Sequence, residues 1–573
     1  MANKTKAKCL AGIRNAQPES PVIGVFAPCD PRIDKASRQR AENIVAMIAD
    51  AISGEIVLPD KKPVEIVYSN ILVDSEKQAD IVAQQFRKAG VNILVCVPDT
   101  WAFPQLTTIS LLQQFPKNTP INITCGNSGP KPGVVYAHAT AGAISQYGKL
   151  VSLNVGNWPD TGMKPKMSDA TATALIDWCY AAVTAVGLRG RRVMIFGHDS
   201  MGMETALAHT IPTRNTFGLE ITRLDMKLLS DMLAKEAYNE TELKKLRTWI
   251  DRCIGKRLEL KTKADSERFN TSLAMYLINR DLMEDLNAVG GGFMSQLEWG
   301  SDLRGKPLPV ADCMESLFNS TFDHNGPKAA LPYATEADVQ GLLTMLFMTW
   351  LSGGNPPLFM DFRKVWEVWE IKALAKKIGI KELPKNADWV KKGLVDGNNS
   401  GSASLDWAAK PGADVKEIMK VVEMPLADEG YFPGGGNSVT FMTPAGIEGI
   451  AGRMAFSGLN NKFSLIWDQA HTTSVPKKLG QAMVNLTNWN WPHTFVVPKY
   501  ATMAEYKQYA PANHFHMTWN LPVARLQYWM DLTGVLNVTP WSARPEFIEG
   551  VDRPQPLVYL LNGGEGKYKV LAR

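Results

Sequence analysis

Short β-branched runs alternate with stretches of helical period through the first third of the chain, and that alternation limits its fold more than any other feature. The runs are V-I-G-V-F-A-P (22–28), V-E-I-V-Y-S (64–69), V-N-I-L-V-C-V-P (91–98) and I-N-I-T-C-G (121–126), closed by Pro, Gly or Asn. Between them Ile44, Val45, Ile48 and Ile52 recur at helical spacing, as do Ile81, Val82, Ala83 and Phe86. Strand, helix, strand at this interval predicts a parallel, doubly wound sheet. A second cycle starts near residue 168, with a helix over 170–186, a strand over 191–198, a helix after Ser200 and the strand G-L-E-I-T-R-L-D. The charged helical stretch from Ser230 to Lys263 reads as a solvated face.

From about residue 350 the segments shorten and gain Gly, Pro, Trp and Thr, as in G-G-N-P-P, G-N-N-S-G-S-A-S and N-W-N-W-P-H-T-F-V-V-P. That composition predicts a β-rich domain with functional loops. At 573 residues the chain exceeds what one core serves, so two to four domains are expected. The predicted class is α/β: two doubly wound parallel-sheet domains followed by a β-rich C-terminal domain. The boundaries are set at 1–168, at 169–350 carrying Glu336, and at 351–573 carrying Asp361 and His514.

Composition removes several function classes. The net charge of +5 is small for this length and the Lys and Arg are scattered, so no basic face for nucleic acid is predicted. The basic N-terminus lacks an apolar h-region, and the longest apolar stretch is broken by Thr and by G-G-N-P-P, which predicts a soluble chain with no membrane partner. Seven widely spaced cysteines without a C-x-x-C pair argue against a disulfide scaffold or a zinc site and favour a cytoplasmic home. The Gly-rich stretches G-G-G-N-S and G-H-D-S-M-G lack the spacing of nucleotide-binding loops.

Two carboxylates and an imidazole stand out. Glu336 in Y-A-T-E-A-D precedes the apolar stretch G-L-L-T-M-L-F-M-T-W-L, which suits a buried helix. Asp361 ends the run P-P-L-F-M-D, as at the end of a buried strand. His514 lies in A-N-H. Together they make a hard, oxygen-rich donor set for a divalent ion, and a charged group beside apolar runs is costly unless paired or metal-bound. The competing reading pairs Asp361 with Arg363 or Lys364.

The stretches A-T-E-A-D, F-M-D-F-R-K-V-W, N-N-S-G-S-A-S-L-D, G-Y-F-P-G-G-G-N-S, W-P-H-T-F-V-V-P and A-N-H, in this order, resemble the L-fucose isomerase family. Weaker matches lie at Pro132 to Gly148, Ser200 to Gly202, Phe293 to Trp299 and Phe318 to Gly326, so the likeness runs from about residue 20 to about 515. It implies an aldose–ketose isomerase that moves a proton between C1 and C2 of a sugar through an enediol. Glu336, Asp361 and His514 would bind Mn²⁺, with Mg²⁺ or Co²⁺ as substitutes, and Glu336 and Asp361 would also carry the proton. Glu336 is placed first as base, although the sequence does not separate the two roles.

By the same resemblance Ser400 and Asn513 would bond sugar hydroxyls, although either residue type also caps turns. Met201, Gln296 and Tyr431 would line the pocket. Trp101 in V-P-D-T-W-A-F-P is similar to a tryptophan lent to the neighbouring subunit's site, which implies a homohexamer. His516, two residues after His514, would share its face on a strand and is read as a supporting residue. His198, His209 and His471 have no partner pattern, and His324 in F-D-H-N-G reads as a turn residue.

The chain departs from the family at Phe26, where arginine is usual, and at Asn437, where an aromatic is usual; Asp30 and Arg32 keep the pattern. These departures leave the metal set intact and imply an aldose other than L-fucose, altered at C5 or C6, with D-arabinose the first to test. Two other readings stay open: a non-catalytic sugar-binding protein, and a metal-dependent aldolase or lyase using the same enediolate chemistry.

Overall fold

The computed structural model describes residues 20–126, 133–156, 162–163, 165–197, 202–207, 209–294, 307–398, 403–458, 460–539, 556–558 and 569–571. Two parallel sheets precede a β-rich region, as the alternation predicted. The first sheet holds β1 (Val22–Phe26), β2 (Glu65–Tyr68), β3 (Ile93–Cys96), β4 (Ile121–Gly126) and β5 (Ser152–Gly156) in the order β2-β1-β3-β4-β5, every pair parallel. Its central strands are buried along their whole length, which is why they read as unbroken apolar runs. Ile44, Val45, Ile48 and Ile52 do form the buried face of one helix, Lys35–Ile52.

The second sheet holds β6 (Arg192–Phe196), β7 (Glu220–Leu224), β8 (Ala288–Phe293) and, after the small hairpin of β9 (Phe322–Asp323) and β10 (Gly326–Pro327), β11 (Tyr333–Thr335). Its order is β11-β8-β6-β7, again all parallel. The helix Asp169–Gly187 lies between the two cores, with Trp178, Cys179 and Val183 in the first and Ala181 and Ala185 in the second. Among the described residues it is the one helix long and apolar enough to cross a membrane, and most of it is buried inside the protein.

The third region is a closed antiparallel barrel. Its strands are β12 (Leu358–Trp366), β13 (Leu394–Asn398), β14 (Glu448–Ser457), β15 (Lys462–Thr472), β16 (His493–Pro498) and β17 (His514–Trp519), in the order β14-β17-β12-β13-β16-β15. The long β14–β15 hairpin closes the ring and leaves neither strand an open edge there. A further strand, β18 (Leu536–Thr539), runs parallel to β15 outside the ring. Asp361 does not end its strand: β12 continues five residues to Trp366, because F-R-K-V-W still pairs with β13. What ends near Asp361 is burial, since Leu358, Phe359 and Met360 are buried and the next residues are only partly so.

A candidate carboxylate and histidine site where the second sheet meets the barrel

The strand β11 stops at Thr335 and the helix Val339–Leu351 starts after Asp338, leaving three residues to turn the chain. Glu336 and Ala337 make that turn with φ of +61° and +52°, a left-handed pair that non-glycine residues adopt only at an energetic cost. The turn is pinned by Ala337 N donating to Phe293 O at 3.0 Å and Asp338 N donating to Thr335 O at 3.2 Å. All thirteen residues of the following helix are buried, as its apolar sequence predicted, so the turn cannot relax toward solvent. The result fixes the Glu336 carboxylate at the C-terminal end of a parallel sheet, where open α/β folds gather their ligands.

The barrel presents the other two donors on neighbouring strands. Asp361 of β12 and His514 of β17 are directly opposite in the antiparallel register. His514 Nε2 stands 3.4 Å from Glu336 Oε2, so the second sheet and the barrel meet at one imidazole, with Asp361 the backbone neighbour of that histidine across the strand pair. Asp361 Oδ2 lies 3.2 Å from Arg363 Nη2, which realises the ion pair with Arg363 and not the one with Lys364. Lys364 turns instead to Glu370. Among the described residues no three such side chains close tightly enough to hold an ion as they stand.

The donor chemistry nevertheless suits a hard cation, with two carboxylates and one imidazole nitrogen at a nearly dry point. Glu336 is 8% exposed and His514 2%. Burial raises the Asp361 carboxyl above its ordinary range, offset in part by His514 and Arg363, with Glu336 pushing it further up. Burial alone would depress His514, yet hydrogen bonds to Asp338 and Glu336 carry it up to about 9. The neighbouring carboxylates of Asp338 and Glu336 thus favour the protonated form of the His514 ring.

Two residues of this constellation escaped the sequence reading. Asp338 caps the buried helix, accepting from Gly341 N at 2.9 Å, and accepts from His514 Nδ1 at 2.8 Å. Arg453 of β14 grips the same carboxylate with both terminal nitrogens, Nη2 to Oδ1 at 2.9 Å and Nη1 to Oδ2. Burial opposes the charge on Asp338, but Arg453 and His514 hold its carboxyl far below the usual range. The capping signal, an Asp immediately before an apolar helical run, was the clue available for Asp338. Arg453, in a strand reading I-A-G-R-M-A-F, offered only the oddity of one charge among apolar residues.

His516 shares the face of His514, as predicted for a strand, and lies 3.3 Å from Arg453 Nη1. Burial and the Arg453 charge push its imidazole well below the ordinary histidine range, so it sits there neutral. The Phe359 ring contacts both histidines at 4.6 and 4.7 Å between centroids.

The predicted sugar contacts divide. Asn513 flanks the site and hydrogen-bonds the Asp361 carboxylate through its side chain, while its Nδ2 approaches Met203 Sδ at 3.7 Å. Tyr431 is largely exposed and rests on Trp491, whose ring also carries the Arg363 guanidinium at 5.2 Å, so it belongs to the same flank. Buried Arg363 Nε has no protein partner and is a donor left over beside Asp361. Trp101 lies elsewhere, in the loop after β3, packed edge-on against Phe103 and Tyr136. Met201, Gln296, Ser400 and His198 lie outside the described residues. His324 does occupy the turn between β9 and β10, with its buried ring 3.2 Å from Glu242. His209 stacks on Phe456, and His471 lies 3.7 Å from Asp388.

The two departures have structural explanations. Phe26 is fully buried in the first core, edge-on to Phe86 at 6.4 Å. Asn437 is also fully buried and donates through Nδ2 to Glu259 O and Met424 O at 2.8 and 3.0 Å. Both serve packing within the chain.

Comparison with known proteins agrees with this architecture. Residues 20–190 match the first N-terminal domain of L-fucose isomerase and residues 192–353 match the second, together more than half of the chain. Among curated proteins, the L-fucose isomerase of Vibrio vulnificus is 25% identical over 92% of this chain and 97% of its own length. That of Phocaeicola vulgatus is 25% identical over 84% of this chain and 85% of its own. That of Streptococcus pneumoniae is 23% identical over 85% of this chain and 87% of its own.

Proposed function

We propose that this chain, which belongs to the L-fucose isomerase family, is a metal-dependent aldose–ketose isomerase acting on L-fucose, D-arabinose or a C5/C6-altered relative. The observation that carries the reading is the convergence of Glu336, from the end of the second sheet, on His514, which stands opposite Asp361 across the barrel seam. Those three residues would hold a divalent ion, Mn²⁺ by donor type with Mg²⁺ or Co²⁺ as substitutes. When bound, such an ion supplies Lewis acidity to two adjacent oxygens of a sugar.

The chain's own groups would do the rest. Glu336, rigid in its strained turn, takes the C2 proton, and Asp361, whose proton affinity burial raises, serves the neighbouring carbon. Asn513 steadies Asp361, and Arg363 offers a donor to a sugar oxygen. The buried Phe359 ring, packed on His514 and His516, keeps water from an enediol. Ser400 remains a proposed hydrogen-bonding partner of the sugar hydroxyls, and Met201, Gln296 and Tyr431 remain proposed walls of the sugar site. Trp101 remains the proposed contribution to a neighbour's site in a cytoplasmic homohexamer. The exposure of apolar Phe103, Leu106 and Val135 near it supports an intersubunit face there. The three-domain division at 168/169 and 350/351 stays part of the proposal.

Product analysis after incubating the Mn²⁺-loaded protein with a panel of aldoses and ketoses tests the reading. An isomer supports it, unchanged sugar points to a binding protein, and cleavage fragments point to an aldolase or lyase.

A further inference from the structure

We infer that the buried Asp338–Arg453 pair is the positioning device of His514, holding its Nδ1 occupied so that Nε2 is presented to the ion. The inference rests on the metal-site reading above and deepens it. Asp338 is fully buried and its carboxylate is saturated by four donors, the most its two oxygens take. Oδ1 accepts from Gly341 N and Arg453 Nη2, both at 2.9 Å, and Oδ2 accepts from His514 Nδ1 and Arg453 Nη1. With Nδ1 committed as a donor, the ring nitrogen left for a ligand is Nε2, the atom 3.4 Å from Glu336. An imidazole ligand whose second nitrogen is bonded to a carboxylate is oriented and made more basic by it.

Arg453 is the hub of the device. Besides Asp338 it donates to Thr205 O at 2.7 Å and lies against His516 Nε2. One guanidinium thus ties β14, the helix start, β17 and the turn Glu204–Ala206, beside Met203, which meets Asn513. Gln340 reinforces the tie, donating to Leu207 O and accepting from Phe456 N. A buried ion pair is weak evidence for stability, since apolar residues of similar shape often serve as well. A task in orienting His514 accounts for its presence here. Gly341 fits the same picture, because a Cβ there would fall 2.5 Å from Asp338 Oδ2 and 2.7 Å from both Arg453 Nη1 and His516 Nε2.

The test is Mn²⁺ affinity of the metal-stripped full chain, read from the electron paramagnetic resonance signal of free Mn²⁺, in a double-mutant cycle. Asp338→Asn should weaken binding about 10- to 100-fold. In a His514→Ala background the same change should cost less than about twofold, because a residue acting through His514 has nothing left to position. Equal losses in both backgrounds, or wild-type affinity in Asp338→Asn, would overturn the inference. Should Asp338→Asn fail to fold with Arg453 left unpaired, Arg453→Lys carries the same comparison. It keeps the charge and loses the fork, and a loss of at least about threefold that disappears beside His514→Ala is expected. A wild-type chain that takes up no Mn²⁺ overturns the metal reading and this inference together; wild-type uptake with an insensitive Asp338→Asn overturns this inference alone.

Discussion

Asp361 and His514 face one another across β12 and β17, and Glu336 reaches the same imidazole from the second sheet. The barrel register therefore sets two donors while a strained strand-to-helix turn sets the third. Replacing Glu336 by Gln should lower kcat by about 10²- to 10⁴-fold, the usual contribution of a positioned proton carrier. Circular dichroism should be unchanged, since the amide keeps the shape of the turn. A variant with near-normal turnover would assign the proton transfer to another group.

The charge state of His514 makes the metal-free protein sensitive to pH. Its folded value of about 9 lies above the ordinary 6.5, so its stabilising contribution is full below 6.5 and is lost as pH rises through 9. The melting temperature of the stripped protein should fall over that window. Saturating Mn²⁺ should reverse the trend, because the ion competes with the proton for Nε2 and binds better as pH rises. Parallel pH profiles with and without Mn²⁺ would contradict this.

Gly341→Ala pits two effects against each other. Alanine favours a helix by about 1 kcal/mol over glycine. Here its Cβ would strike Asp338, Arg453 and His516 inside a packed cradle, and overpacking of that kind costs about 1–3 kcal/mol. The clash should win, giving a lower urea midpoint and weaker Mn²⁺ binding. A stabilised variant would show that the cradle is loose.

Periodicity revealed two parallel sheets, because strands buried on two faces and helices buried on one leave distinct repeats, as Val22–Phe26 and Ile44–Ile52 do, but it did not reveal β5, the Gly-rich β8 or the three-residue β11. Closure of the barrel was not legible, since the pairing of β12 with β17 joins residues about 150 apart and no local pattern encodes it. Asp338 and Arg453 were hidden for the same reason, their meaning lying in a contact 115 residues long. Phe26 and Asn437, expected at the distal end of the sugar or in its supporting shell, are fully buried within the chain, and burial at a given position is not encoded by its immediate sequence.

That placement has its own consequence. Phe26→Arg should not restore a family-like sugar contact but should bury a charge against Phe86, a change that costs several kcal/mol unless the charge is paired. Loss of soluble folded protein or a large drop in melting temperature is expected. A stable Phe26→Arg chain with altered sugar preference would return residue 26 to the site.

The most direct test of the central claim is isomerase activity of the chelator-stripped protein before and after metal return, with metal content verified by elemental analysis. The account predicts that the stripped chain forms no ketose from any aldose of the panel, and that Mn²⁺ restores isomerisation better than Zn²⁺. Full isomerase activity in verified metal-free protein would contradict it.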